Sequence, residues 1–153
     1  MSPALKPVAF LLGTWRGEGQ GEYPTIKAFR YREEIRFAHN GKAFLIYSQR
    51  TEAIDSDQPM HAETGYLRVV GDDQVEFVIA QPIGFAEISP GRISGTRIDV
   101  ESSTVGRTPT AKAVTSISRS LWVEGETLHC ETRMAMEGVP MVRHLMASFH
   151  RID

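Results

Sequence analysis

Histidine side chains have the widest chemical range in this sequence, and its five histidines are scattered along the chain. The sequence contains no nucleophile elbow, no phosphate-binding loop, no dinucleotide-binding glycine pattern and no HExxH motif. A metal site would therefore have to be assembled by the fold. The single cysteine, Cys130, excludes an internal disulfide and a Cys-rich zinc site. The histidines are His39, His61, His129, His144 and His150.

His144 has the most unusual setting, because it lies in the last apolar segment of the chain. Strand alternation places it on one face with Val142 and Met146. A neutral imidazole among apolar groups needs a hydrogen-bond partner, or it coordinates a metal through its unprotonated nitrogen. The residues alone leave both interpretations open, and alternation does not tell whether this face points into the fold.

Three other histidines are expected to be ordinary surface residues. His39 adjoins an Asn-Gly turn, and His150 lies near the end of the last strand. His129 precedes Cys130 on a predicted strand, so the two side chains point to opposite faces and cannot bind one ion together.

His61 and Gln81 are weaker candidates for a binding site. His61 follows Met60 at the start of a predicted strand, and Gln81 precedes Pro82, where a strand is interrupted. Each residue could line the mouth of a cavity or could be an ordinary polar residue at a strand end.

The composition limits the class of protein. A length of 153 residues predicts a single domain over 1–153, and a net charge of −2 excludes the basic surface typical of nucleic-acid or anionic-membrane binding. No uncharged stretch approaches the roughly 20 residues of a membrane-spanning helix, and the N-terminus does not resemble a secretory signal. We expect a soluble, cytoplasmic protein.

The elements that must position these residues are mostly strands. β-Branched Val, Ile and Thr greatly outnumber Leu, and segments of period two alternate with turn signals. Pro7–Leu12 predicts a short N-terminal helical turn that begins at Pro7. About ten antiparallel strands follow from Gly13 onward, with alternation over Phe29–Arg36 and further strands near residues 43–51, 61–70, 75–80, 83–88, 96–103, 112–123, 127–136 and 141–151. Ser89-Pro90-Gly91 is predicted as one of the turns.

This pattern predicts an all-β fold, an up-and-down β-barrel like those of lipocalins and fatty-acid-binding proteins. Closing the sheet removes its edges, and a barrel of about ten strands is wide enough to enclose a ligand cavity. An open sandwich of two sheets is the alternative.

Several motifs together resemble the nitrobindin family over nearly the whole chain. Gly13-x-Trp15-x-Gly17-x-Gly19 is followed by Tyr23-Pro24-Thr25. A bare Gly-x-Trp is common in lipocalin-like barrels, but the combined set in this order is specific. The further matching segments are Phe37–Lys42, Met60–Arg68 and His144-Leu145-x-Ala147.

The resemblance implies a ten-stranded barrel that binds one haem b per subunit. His144 matches the family's proximal iron ligand, and Thr25 matches its haem-contacting threonine. Trp15 is expected to plug the base of the barrel, while Gly13, Gly17 and Gly19 belong to the structural motif and allow strand bending. Met60, His61 and Gln81 match positions that line the haem cavity.

The implied activity is the isomerisation of peroxynitrite to nitrate at a ferric haem, which also binds nitric oxide. The reaction has no net redox change, so no reductase is expected, and the partners are small molecules only. We expect a monomer or a weak homodimer. The alternatives are a non-catalytic carrier of a small hydrophobic ligand and a haem-based sensor or store of nitric oxide.

Overall fold

A computed structural model describes all residues, Met1–Asp153. The chain forms one short 3₁₀ helix and eleven strands, and no helix is long and apolar enough to cross a membrane. The helix spans Pro3–Leu11. The strands are β1 (Gly13–Tyr23), β2 (Ile26–Ala38), β3 (Phe44–Ala53), β4 (Pro59–Val70), β5 (Gln74–Gln81), β6 (Phe85–Ser94), β7 (Arg97–Glu101), β8 (Thr104–Arg107), β9 (Val114–Glu124), β10 (Thr127–Met136) and β11 (Val139–Arg151).

Ten of these strands close into an antiparallel barrel, which confirms the predicted fold and excludes the open sandwich. β1 pairs with both β2 and β11, and β5 pairs with β6, so the ring runs from β1 to β7 and then through β9, β10 and β11. β8 is an additional strand that pairs only with the first half of β6.

The predicted turn at Ser89-Pro90-Gly91 is wrong, because these residues continue β6 opposite Phe77, Glu76 and Val75 of β5. On its other side β6 pairs with β8 up to Ile88 and with β7 from Gly91 onward. Ser89 and Pro90 lie in the gap between these two partners, where a residue without an N–H is tolerated. The predicted strand 83–88 likewise begins only at Phe85, after a turn.

The N-terminal helix closes one end of the barrel. It begins earlier than predicted, at Pro3, because the hydroxyl of Ser2 caps Ala4, and Pro7 lies inside it. Its residues Leu5, Val8 and Leu11 are fully buried in the main core cluster, together with Trp15, Phe37, Phe77 and Phe149.

Trp15 joins this helix to the barrel wall. Its side chain is 1% exposed, and its indole N–H donates to the carbonyl of Leu11 at 2.8 Å. The guanidinium of Arg151 lies 4.5 Å from the centre of its ring. A buried indole satisfied in this way fixes the helix across the closed end of the barrel.

Glycines in β1 allow the adjacent strands β2 and β11 to approach closely. A Cβ atom on Gly17 would lie 1.8 Å from the carbonyl oxygen of Ser148, and one on Gly19 would lie 2.5 Å from the ring of Tyr31. Gly13 begins the strand with φ of 125°, a conformation that favours glycine.

We predict that Gly17→Ala destabilises the protein, because the added methyl group would overlap backbone atoms of β11 that cannot move alone. Overpacking of this kind costs about 1–3 kcal/mol or more. The free energy of unfolding in urea measures the effect.

Gly106→Ala is the matched control, since a Cβ atom there meets no atom within 4 Å. Equal stability of the two variants would contradict the close approach of β1 and β11.

Candidate functional site

The open end of the barrel leads into a cavity of about 530 Å³. Its lining is mostly apolar, with a small number of polar and charged groups, as is typical of ligand pockets. Thr25, Ile26, Met60, Ile83 and Lys112 line the cavity and are themselves exposed, so they mark its mouth.

His144 reaches this cavity because β11 is irregular there. Thr132 of β10 pairs with Leu145, whereas the next residue, Arg133, pairs with Arg143, so His144 is the extra residue of a β-bulge. A bulge bends the strand and redirects a side chain. Both His144 and its neighbour Leu145 line the cavity.

The bulge resolves the question that alternation leaves open about the last strand. Ala147 and Phe149 are buried inside the barrel, whereas Met146 lines only outer pockets, one of which His144 also borders. The face shared with Met146 is thus the outer one, and at the bulge His144 reaches the cavity as well.

A second irregularity holds the imidazole of His144 in place. The β1–β2 register shifts between Gly21 and Tyr23, and the backbone carbonyl of Glu22 between them accepts a hydrogen bond from His144 Nδ1 at 3.0 Å. The ring also packs edge-on against Tyr23, with 5.2 Å between ring centroids. His144 Nε2 makes no hydrogen bond within the chain and carries the free lone pair.

Burial lowers the pKa of His144, and the charges of Lys112 and His61 act in the same direction, although the Glu22 carbonyl opposes them. The ring is therefore neutral near pH 7. A neutral imidazole whose Nδ1–H is engaged by a carbonyl has the geometry of a histidine that ligates a metal through Nε2.

Met60 and His61 both line the cavity for a similar reason. Thr51 pairs with His61 and Glu52 pairs with Pro59, so Met60 is an extra residue in β4. The Thr51 hydroxyl accepts a hydrogen bond from the backbone N–H of His61 at 3.0 Å. Gln81, at the end of β5, lies on the same cavity wall, and Thr25 lies in the turn between β1 and β2.

A cluster of three buried charges lies beside the cavity, and two of its members, Glu63 and Arg119, line it. The guanidinium of Arg119 lies between Glu63 and Glu87, with its Nη1 2.8 Å from Glu63 Oε2 and its Nε 2.7 Å from Glu87 Oε1. Arg119 Nη2 reaches the second oxygen of each carboxylate, at 3.4 and 3.1 Å. We call Glu63, Glu87 and Arg119 the Arg119 cluster.

The carboxylates of the Arg119 cluster hold further side chains of the cavity wall, two at Glu63 and one at Glu87. Glu63 lies 3.1 Å from His61 Nε2 and accepts from the Tyr47 hydroxyl at 2.9 Å, and Glu87 accepts from Gln81 Nε2 at 3.0 Å. Burial raises the pKa of Glu63, but the Arg119 charge and the hydrogen bonds from His61 and Tyr47 outweigh burial and lower this pKa to about 2. Glu63 is therefore a carboxylate ion.

The sequence interpretation missed the Arg119 cluster, although a signal for it exists. Each member lies on the inward face of its strand: Glu87 is two residues from buried Phe85, Arg119 is two residues from buried Ile117 and Leu121, and Glu63 is four residues from buried Leu67. A charge at an inward position, with an opposite charge at inward positions of other strands, indicates a buried ion cluster.

The remaining histidines and the cysteine do not assemble a metal site. His39, His129 and His150 are exposed or lie on the outside, and His129 bonds to Ser148 and stacks on Trp122. Cys130 lines the cavity, where burial raises its pKa, so it is a thiol. No group of three or more His, Cys, Asp or Glu residues could hold a bare metal ion. His144 can therefore serve only a metal that brings its own ligands.

Glu33 is a second titratable group of the cavity wall. Gln49 Nε2 donates to its carboxyl at 2.9 Å, but burial and the Glu63 charge raise its pKa to about 8 in spite of this bond. Glu33 therefore keeps its proton at neutral pH, beside a carboxylate that does not.

Comparison with known proteins gives concordant matches along the whole chain. A family model described as THAP4-like, heme-binding beta-barrel domain matches residues 4–151. "Peroxynitrite isomerase" of Nocardia farcinica is 48% identical over 155 residues, with 99% of this chain and 92% of the relative covered. "Peroxynitrite isomerase 1" of Mycobacterium tuberculosis is 45% identical over 158 residues, with 99% and 96% covered.

The crystal structure of Rv2717c from M. tuberculosis matches with a TM-score of 0.93 and 44% identity, covering 100% of this chain and 99% of that chain. The match covers every strand and the N-terminal helix, so both proteins share the fold of the barrel.

We predict that Glu33→Gln removes a pH dependence of stability. The carboxyl of the unfolded chain ionises near pH 4.5, whereas the folded one ionises near 8, so the folded state binds more protons between these values. The free energy of unfolding of the wild type should then fall as pH rises, by about 1–2 kcal/mol in total because cavity water weakens the effect.

The measurement is urea unfolding at pH 6, 7 and 8 for both proteins. The difference between wild type and variant isolates Glu33 from the histidines that titrate in the same range. A constant difference across this range would show that Glu33 is ionised throughout.

Proposed function

The chain belongs to the family of THAP4-like, heme-binding β-barrel domains, and we propose that it binds one haem b in its cavity and isomerises peroxynitrite to nitrate. The single observation that carries the proposal is the geometry of His144. Its Nδ1–H is bonded to a backbone carbonyl and its Nε2 is free at an apolar cavity. Relatives named peroxynitrite isomerase support the reaction.

The residues of the cavity fit a haem. The volume of about 530 Å³ and the apolar lining suit a porphyrin, and one imidazole without other metal ligands suits an iron that arrives with four ring nitrogens. Thr25 and Lys112 at the mouth supply a hydroxyl and an ammonium group for the propionate carboxylates of the haem. The family motif predicts Thr25 as a haem contact, whereas nothing in the sequence singles out Lys112.

Haem, when bound, would supply an iron that binds a small ligand and catalyses the rearrangement of peroxynitrite without net oxidation or reduction. The same iron would bind nitric oxide. The protein orients the ring through His144, whose imidazole is fixed by Glu22 and Tyr23. Ile26, Met60 and Ile83 surround the mouth with apolar groups that limit the access of water.

His61 is not suited to be a second iron ligand in this arrangement. Its Nε2, the less hindered nitrogen, is engaged by Glu63 at 3.1 Å. That position on the iron therefore stays available to substrate, as the proposed reaction requires.

The Arg119 cluster argues against the alternative of a fatty-acid carrier. A buried arginine could bind the carboxylate of such a ligand, but Arg119 is already bonded to two carboxylates of the protein. A third carboxylate would add a negative charge to a site that has an excess of them.

The proposal also covers the localisation, oligomeric state and partners that are expected from the sequence. We propose a cytoplasmic protein, monomeric or weakly dimeric, that needs only small molecules as partners. Sedimentation of the haem-loaded protein at several concentrations measures its oligomeric state.

We predict that His144→Ala abolishes the Soret shift on titration with hemin and leaves the far-ultraviolet β spectrum unchanged, because the free Nε2 is lost while the fold is kept. The ferric wild type should show a five-coordinate or weakly water-ligated spectrum.

His150→Ala is the control, since His150 is exposed and should not affect the titration. An unchanged haem spectrum in His144→Ala would refute the ligand assignment. A low-spin bis-histidine spectrum that disappears in His61→Ala would instead favour storage or electron transfer.

We predict that the ferric haem-loaded protein accelerates peroxynitrite decay in proportion to its concentration and suppresses the nitration of added free tyrosine. The apoprotein and His144→Ala should do neither. Nitrate yield over many equivalents of peroxynitrite distinguishes turnover from consumption.

Tyr66 provides the control for radical scavenging by the protein, because it is 51% exposed whereas Tyr23, Tyr31 and Tyr47 are buried. The protective effect should persist in Tyr66→Phe. Stoichiometric consumption with nitrated protein would favour a sensor or store of nitric oxide.

A further inference from the structure

His61 and Gln81 are two polar side chains of the cavity wall that are each held by one carboxylate of the Arg119 cluster. His61 Nε2 lies 3.1 Å from Glu63 Oε1, and Gln81 Nε2 lies 3.0 Å from Glu87 Oε2. His61 Nδ1 and Gln81 Oε1 make no hydrogen bond within the chain, although both residues line the cavity.

The Arg119 cluster determines which atom of each side chain donates a hydrogen bond and which accepts one. A carboxylate ion only accepts hydrogen bonds, and Arg119 donates to both oxygens of Glu63 and of Glu87. The imidazole of His61 must therefore carry its proton on Nε2, and Gln81 must turn its amide nitrogen toward Glu87. Each side chain then has a hydrogen-bond acceptor left for the cavity, Nδ1 in His61 and Oε1 in Gln81.

The charge of the cavity wall and a third free acceptor both favour a ligand that is neutral and donates a hydrogen bond. Two carboxylates around one guanidinium leave one net negative charge on the Arg119 cluster, which disfavours an anion nearby. Gln49, which is 7% exposed and also lines the cavity, has an Oε1 atom without any hydrogen-bond partner.

We propose that His61 and Gln81 are a pair of hydrogen-bond acceptors that select the neutral, protonated form of a small acid, which for the proposed reaction is peroxynitrous acid rather than its anion. This inference rests on the proposed function for the identity of the acid. A neutral acid donates its single O–H to one of these acceptors without adding charge to the wall.

The proton then has a defined path. His61 Nδ1 takes the proton of peroxynitrous acid, the O–H bond breaks, and its electron pair stays on the oxygen of the peroxynitrite anion. The Glu63 carboxylate stabilises the imidazolium ion. Nitrate forms by rearrangement without gain or loss of electrons, and His61 returns the proton to water, so the sum is peroxynitrous acid to nitrate and one proton.

Titratable and charged groups from several elements surround His61 and contribute to any pH dependence of ligand binding at this site. They are Glu33 on β2, Tyr47 on β3, Glu63 on its own strand, Arg119 on β9, His144 on β11 and Lys112 at the mouth.

The first experiment uses the apoprotein, so it does not depend on haem. Long-range ¹H–¹⁵N NMR spectra of ¹⁵N-labelled protein should show neutral His61 with its proton on Nε2, the signal being assigned by its absence in His61→Leu. Glu63→Gln should populate both tautomers, because a glutamine can donate as well as accept. A proton on Nδ1 in the wild type would overturn the inference.

The second experiment measures azide binding to the ferric haem-loaded protein by absorption, with azide and hydrazoic acid as the probe pair. Uptake of one proton by His61 makes the dissociation constant for total azide rise about tenfold per pH unit between pH 7 and 8.5. This slope should vanish in His61→Leu and persist in His150→Leu, which removes an exposed histidine.

The two experiments distinguish a failure of the proposed acceptor pair from a failure of the proposed function on which it rests. A flat pH profile in the wild type, or the same slope in His61→Leu, overturns the acceptor pair while haem binding stands. A missing Soret shift overturns the proposed function, and the tautomer of His61 in the apoprotein then decides the acceptor pair alone.

Discussion

Arg119 is the one positive charge buried inside the barrel, and the polar half of the cavity depends on it. Glu63 and Glu87 approach each other on different strands and are tolerated there only because one guanidinium bonds to both. Removal of one partner from such a buried pair generally costs about 3–5 kcal/mol, since a charge is left without compensation. Through these carboxylates Arg119 also determines which atoms His61 and Gln81 turn toward the ligand, so a structural ion cluster becomes part of the binding surface.

The width of the barrel explains why such a surface exists. Ten strands enclose more space than their inward side chains fill, and this space is filled at one end of the barrel and open at the other. At one end the 3₁₀ helix and Trp15 fill it with apolar groups. At the other end the space remains open as the cavity, so the same sheet has a packed core for stability and a pocket for chemistry.

Irregular strands deliver the functional side chains into that pocket. His144 and Leu145 both line the cavity, as do Met60 and His61. In each pair a β-bulge supplies the extra residue. The bulge at His144 lies beside the register shift at Glu22, whose carbonyl orients the imidazole. The irregularities thus set both the direction and the hydrogen bonding of the candidate iron ligand.

The sequence by itself determined the all-β class, the approximate strands, the closed barrel and the family. Period-two alternation, turn residues and the Gly13–Gly19 motif are local signals that do not depend on tertiary packing. It could not determine that Ser89-Pro90-Gly91 continues a strand, since this depends on a change of partner strand beside Pro90. It could not tell that His144 reaches the cavity, because a bulge is a mismatch between two strands and neither strand shows it alone. The Arg119 cluster was invisible for the same reason. Glu63, Glu87 and Arg119 are far apart in the chain, and only the closure of the barrel brings their charges within hydrogen-bonding distance.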